Sequence, residues 1–327
     1  MANALLTPNQ ITREALRVLH QKLNFIGAIN RQYDDSFAKD GAKIGSALRI
    51  RLPNQYTVRT GANLSAQDTT ENQVTLNVTT QKGVDTQFTS ADLTLSLDDF
   101  SQRIINPAMA VLAAAIEADA FSMALDVYNA VNNVGSAITF KNTLQARKIL
   151  NDNLAPMDGQ RSVILNTQDN VDLVDALKGL FQDSSEIKAQ YRDGVMGHTA
   201  GFEFSENTLL PSQTTGTALS ATTYTVNGAN QTGSAVTVAT GSTTFKKGDV
   251  VNLAGCNSVH PETKVSTGIL QQFVVTADYA GGGGNLAISP AIVTSGAPDL
   301  AIPAFSKPMR SSGGKAGPLV GSRRKAS

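Results

Sequence analysis

Chemically reactive side chains are scarce in this sequence. Its 327 residues hold one cysteine, Cys256, and three histidines, His20, His198 and His260. One thiol excludes an intrachain disulfide framework and fits a reducing compartment or indifference to redox. No histidine lies within helical or hairpin reach of another, so the usual spacing of a zinc site is missing. Net charge is also absent: 27 basic residues balance 27 acidic ones. That balance gives no general attraction to nucleic acid and leaves room only for a local basic face. No stretch approaches the roughly 18 continuous apolar residues of a membrane helix. The start, MANALLTPNQITREALRVLH, has no apolar signal core. These absences point to a soluble protein made in a cytoplasm.

Few residues compete for a catalytic role. Cys256 and His260 form the only local pair suited to nucleophilic catalysis, and the surrounding signature of a thiol enzyme is missing. The run Gly281 to Gly284 has no following Lys-Ser/Thr and no helix to present amides to a phosphate, so it reads as a flexible turn. Asp169, Asp172 and Asp175 are metal-ligand candidates by count. Three helical aspartates without a histidine nearby read instead as a solvated face. The sequons at Asn63 and Asn77 mean little without a secretory signal. No catalytic, metal or cofactor site is expected.

What the chain does contain is a clear order of elements. At 327 residues it suggests about two domains on a prior of roughly 150 residues each. Thr7 and Pro8 open a helix in which Ile11, Ala15, Val18, Leu19 and Leu23 recur at helical spacing, so one face needs a partner. Next, Ala47, Arg49 and Arg51 alternate with Leu48, Ile50 and Leu52, a strand pattern closed by Pro53. After a polar stretch, Val74, Leu76 and Val78 alternate with Thr75, Asn77 and Thr79. The two limbs predict a long hairpin, which alone is marginally stable in water and must lean on its own domain or on a neighbour.

The segment NPAMAVLAAAIEADAFSMALDVYNAV predicts a long helix that Pro107 bends or restarts. A mixed region follows: TLQARKILNDNLAP as a helix, RSVILN as a short buried strand and QDNVDLVDALKGLF as a further helix. Composition then shifts at Ser212. TYTV, AVTVAT, DVVNLAG, QQFVVTADY and NLAISPAIV read as short strands separated by NGANQTG, KKGD and GGGG, the pattern of a small barrel or sandwich.

This order of elements resembles the major capsid proteins of tailed bacteriophages, in particular the short-tailed-phage branch with an inserted β-barrel. The resemblance rests on long blocks, among them LLTPNQITREALRVLHQKLNFIGAINRQYDD, RIRLPNQYTVRTGA, QKGVDTQFTSADLTLSLDDF, NDNLAPMDGQR, YRDGVMGHTAGFEFSENTLLP and FKKGDVVNLAGCNSVHPETKVSTG. It implies an α+β fold with an N-terminal helix and arm over 1–42 and an extended hairpin over 43–88. A spine helix and peripheral domain over 89–139 follow, the helix itself running 97–131. The axial domain would start over 140–211, with a β-barrel inserted at 212–297.

By the same resemblance the chain would be a non-enzymatic subunit that self-assembles into an icosahedral shell around double-stranded DNA. Its partners would be copies of itself in hexameric and pentameric capsomers, a scaffolding protein and a portal protein, with no membrane and no cofactor. Assembly would take place in the host cytoplasm. Arg49, Arg51 and Arg59, facing Asp68 and Glu71 within one polar excursion, are the expected inter-subunit contacts. Arg13, Arg17 and Lys22 are candidates for nonspecific DNA contact on the inner face, or simply a solvated helix face. A secreted adhesin, a hydrolase assembled from distant residues and a nonfunctional truncated variant are the alternatives.

After TSGAPDL the resemblance stops. The remainder carries Lys307, Arg310, Lys315, Arg323, Arg324 and Lys325 with no acidic residue and little apolar periodicity. Residues 299–327 are therefore expected to be disordered, either as a natural genome-binding tail or as a sign that the usual closing segments of the fold are missing.

Overall fold

The computed structural model describes residues 8–23, 25–29, 47–52, 54, 56, 58–64, 66–68, 73–87, 97–133, 136–177, 196–218, 223–239, 241–293, 308–312 and 319–322. Helix α1 (Pro8–Lys22) starts at the proline, where the missing N–H would have no helical partner anyway. Its apolar stripe finds a partner within the chain. Ile11, Ala15 and Val18 pack on Phe100, Ile104, Ile105 and Met109. A short turn of helix, α2 (Phe25–Ala28), then stacks Phe25 on Phe121 at 4.7 Å between ring centroids.

Strands β1 (Ala47–Arg51) and β2 (Gln73–Asn77) pair antiparallel, with Leu48 opposite Leu76 and Ile50 opposite Val74. The predicted hairpin is therefore present. Its base is tied down where Lys82 meets Asp119 at 2.5 Å and donates to the Ala115 carbonyl at 3.3 Å.

The long helix is built in four pieces. Helix α3 (Leu97–Phe100) runs into a π turn (Ser101–Ile105), helix α4 (Asn106–Phe121) and a closing 3-10 turn (Ser122–Asp126). Pro107 explains the π turn: with no N–H to donate and a ring that crowds the preceding carbonyls, it forces the turn before it to widen. The Asn106 N–H accordingly reaches back five residues to the Ser101 carbonyl. The helix stops at Asp126 rather than at 131, because Val127 is already extended (φ −90°, ψ 122°).

Although no uninterrupted apolar run marks it, the helical stretch Ser101–Asp126 is by length and composition apolar enough to cross a membrane, with mean hydropathy 1.6. Its acidic residues are engaged by the rest of the chain. Asp119 pairs with Lys82, Asp126 with Lys247 at 2.8 Å, and Glu117 is buried and hydrogen-bonded.

Helix α5 (Phe140–Asp152) is opened by Asn142, whose Oδ1 accepts the Thr139 N–H at 3.1 Å. Strand β3 (Arg161–Leu165), helix α6 (Thr167–Leu177), strand β4 (His198–Thr199) and strand β5 (Phe202–Glu206) follow. The core beneath them holds Ile138, Val163, Leu165, Leu173, Met196, Phe202 and Phe204. Arg161 is buried beside the end of α5, donating to the carbonyls of Pro156 and Ala155 and to Asn151 Oδ1 at 2.9, 2.6 and 2.7 Å.

The Thr/Gly-rich region forms strands that overlap the expected segments, β6 (Thr223–Thr225), β7 (Gly233–Val238), β8 (Val250–Val259), β9 (Ser266–Val275) and β10 (Gly284–Ile292), with β8 and β9 longer than the short strands expected and β9 beginning before QQFVVTADY. Their shared core includes Tyr224, Phe245, Val251, Cys256, Phe273 and Leu286. Beyond β6, Val226 bridges Val238 of β7, so the two edge strands of the sheet meet. Asp249 organises one end, accepting the N–H groups of Lys246 and Gly216 at 2.8 and 3.0 Å.

Within the basic tail only residues 308–312 and 319–322 are described, and the expectation of disorder for the rest of 299–327 lies outside the described residues. Strand β11 (Pro308–Ser312) lies between β6 and β8, and β12 (Leu319–Ser322) pairs with β3. The sheets run β6-β11-β8-β9-β10-β7 and β12-β3-β5-β4. Composition gave no sign of these two strands because strand pairing is satisfied by backbone groups, whatever the apolar content of the added strand. Pro308 sits at the first position of its strand, where a missing N–H is tolerated.

Candidate interaction surfaces

The polar face of the β1-β2 ribbon is exposed, and its apolar face is only partly covered, with Leu48 and Ile50 half-buried. In an antiparallel pair, directly opposed residues share a face. Leu48, Ile50, Val74 and Leu76 therefore form one apolar face, while Arg49, Arg51, Thr75 and Gln73 form the other. Val74 and Leu76 remain 51% and 53% exposed, and Val58 and Leu64 near the tip are 97% and 87% exposed. A ribbon with a partly uncovered apolar face gains by burying it elsewhere, since each apolar Å² removed from water contributes about 25 cal/mol.

Among the described residues, neither Arg49 nor Arg59 meets Asp68. Arg49 and Arg51 project from the polar face of β1, opposite Thr75 and Gln73. Arg59 folds back to the Gly61 carbonyl, and Asp68 is exposed. Glu71 lies outside the described residues. Sequence reading singled out the charges, whereas the geometry draws attention to the apolar residues between them. The alternation that marked the strands was the signal for both.

Of the proposed inner-face cations, Arg13 is exposed on α1. Arg17 is held by Glu14, with Nη2 to Oε1 at 2.5 Å and Nε to Oε2 at 2.9 Å. Ser101 Oγ also donates to Glu14 Oε1 at 2.9 Å. The Arg17 hydrogen bond, reinforced by Ser101, lowers the Glu14 carboxyl to about 2. Lys22 ends α1, and its side chain lies outside the described set. The candidate basic face is thus partly neutralised by its own helix.

The other candidates take structural positions. Cys256 is fully buried in the β core, and burial pushes its thiol up to about 11, away from the reactive thiolate. His260 Nδ1 accepts the N–H groups of Glu262 and Thr263 at 3.2 and 3.3 Å, closing the β8-β9 turn. Gly283 lies so near the Ala239 carbonyl that a Cβ there would sit 2.5 Å from its oxygen. The glycine run is a close backbone crossing. Asp169 is raised by burial and then by Asp172, which accepts from Gln168 at 3.0 Å. Among the described residues no cluster suited to a metal ion occurs.

One polar junction was not legible in advance. Glu117, in the alanine-rich α4, is 3% exposed. Its Oε1 accepts the Phe25 N–H and its Oε2 accepts Asn207 Nδ2, each at 2.9 Å. The junction thus joins α2, α4 and the end of β5. An open depression of about 290 Å³ beside it is lined by Glu117, Thr167, Glu206, Asn207 and Thr208. Its only sequence signal was a carboxylate in an alanine run.

A family model described as P22 coat protein, gene protein 5, matches residues 34–301. A solved chain from Mycobacterium phage Che8 is similar with a TM-score of 0.44 and 22% identity, over 58% of this chain and 71% of that one. No curated protein matches the chain.

Proposed function

This chain belongs to the P22 coat protein family and is a structural, non-enzymatic capsid subunit, and from that premise we propose how it meets its neighbours. The β1-β2 arm, within residues 43–88, lies across an adjacent subunit and buries its apolar face there. The observation that carries this is the half-exposure of Val74 and Leu76 on the face they share with Leu48 and Ile50. Arg49, Arg51 and Arg59, with Asp68 and Glu71, set register and partner choice at the rim, since exposed pairs contribute only about 0–1 kcal/mol each. The same reasoning applies to α4. It is apolar over most of its surface, with Val111 64% exposed, so this helix too has surface for a neighbour.

The finer reading has the subunit fold divided at 42, 88, 139, 211 and 297, with a β-barrel inserted at 212–297. The contact between β6 and β7 and the separate core of that region support it. Hexameric and pentameric capsomers, scaffolding and portal proteins, and assembly in the host cytoplasm around double-stranded DNA complete the proposal. Arg13, Arg17 and Lys22 would supply only weak, nonspecific DNA contact, because Arg17 is already paired.

The test is assembly of purified chain, followed by sedimentation and negative-stain imaging. Replacing Val74 and Leu76 with Asp should leave the circular dichroism spectrum unchanged and abolish shells or capsomers. Arg51→Glu with Arg59→Glu should impair assembly less. Parent-like shell yield from the Val74/Leu76 variant would refute the arm contact.

A further inference from the structure

Among the described residues, the six-stranded sheet region and the long helix share no apolar core. The buried residues that pack β6 to β10 all fall between 218 and 292, and neither of the other two clusters contains any of them. Among the described residues, the side chains of Gln272 and Lys247 join the units. Gln272, on β9, receives the Ala130 N–H on Oε1 and donates Nε2 to the Ala130 carbonyl, both at 2.9 Å. Lys247, in the turn before β8, reaches Asp126 at the last turn of the helix, 2.8 Å away.

The Gln272 amide therefore does for Ala130 what a neighbouring strand would do, satisfying both backbone groups with one side chain. This fixes the backbone at Ala130, four residues beyond the end of the helix at Asp126, where Val127 is already extended. Lys247 is fixed at its base, because its own N–H donates to Asp278 Oδ1 at 2.9 Å, while Lys246 Nζ pairs with Asp278 Oδ2 at 2.6 Å. The two anchors stand on different parts of the sheet and grip successive points of one chain segment. Together they define an angle, which a single contact would not.

We propose that Gln272 and Lys247 form a two-point polar latch that sets the angle of the β-sheet unit to the long helix, and that its release lets the unit pivot without unfolding. A small polar junction between separate cores permits such motion, whereas a shared apolar core would oppose it. In a shell subunit the pivot lets one fold meet neighbours at different angles. That use rests on the assembly proposed above, but the latch itself is testable on the unassembled chain.

Spin labels at Val111→Cys on α4 and Val265→Cys on the β8-β9 hairpin, both exposed sites, report the angle as a distance distribution. The buried Cys256 stays unlabelled. The labelled parent should give one narrow peak. Gln272→Glu places a carboxylate oxygen against the Ala130 carbonyl, and combined with Lys247→Met it should broaden the peak at least twofold. Amide protection in β8 and β10 should stay at parent level. An unchanged peak, or broadening accompanied by lost protection in β8, overturns the proposal. A measurement on the parent alone guards against variants that do not fold. The Ala130 amide should exchange at least tenfold more slowly than that of Tyr128, and equal rates would likewise overturn the latch.

Discussion

Replacing Glu117 tests whether the junction of α2, α4 and β5 depends on a charged acceptor. The carboxylate is 3% exposed and accepts from the Phe25 N–H and the Asn207 amide, each at 2.9 Å. Gln in its place keeps the shape but turns one acceptor into a donor. Its amide nitrogen would face Asn207 Nδ2, and Asn207 cannot simply flip, because its Oδ1 already accepts the Leu209 N–H at 2.8 Å. Two donors then face each other and Asn207 Nδ2 loses its acceptor, at a cost of about 1–3 kcal/mol. Glu117→Ala strands both donors. The adjoining depression can admit water to relieve part of this, so about 2–4 kcal/mol is expected. Urea unfolding monitored by circular dichroism gives the total, and hydrogen exchange at the Phe25 amide localises it. If Glu117→Gln stays within about 0.5 kcal/mol of the parent and Phe25 keeps its protection, the hydrogen-bond account is wrong.

Cys256 should resist alkylation in the folded protein at pH 8 and react at once in denaturant, since burial holds its thiol near 11; rapid labelling of the native chain would contradict its core position. Glu14 is lowered from 4.5 to about 2, so its contribution to stability is full above pH 4.5 and lost as pH falls toward 2; a carboxyl titration midpoint near 4.5 by NMR would show that the Arg17 and Ser101 bonds do not persist in solution. Gly241→Ala would place a Cβ 1.9 Å from Tyr224 Cε1, a ring that is 1% exposed, and should destabilise the sheet by about 1–3 kcal/mol in thermal or denaturant melts; a neutral effect would mean the ring moves freely.

Local chemistry was enough to place most elements. Pro8 marked the start of α1, Pro107 the break in the long helix, and the glycine- and asparagine-rich turns the spacing of β6 to β10. These signals act within a few residues, because dihedral preference and side-chain period are short-range properties. The exposed ribbon was foreshadowed in the same way, since alternation shows that a face is apolar without showing what covers it. Only the tertiary structure decided which strands became neighbours, so β11 and β12 appeared in a segment whose composition suggested none. It also decided the two polar joints, Glu117 with Phe25 and Asn207, and Gln272 with Ala130. Their partners lie 92, 90 and 142 residues apart along the chain. No periodicity spans such separations, and a buried carboxylate or amide reads as an ordinary surface residue until the fold brings its donors to it.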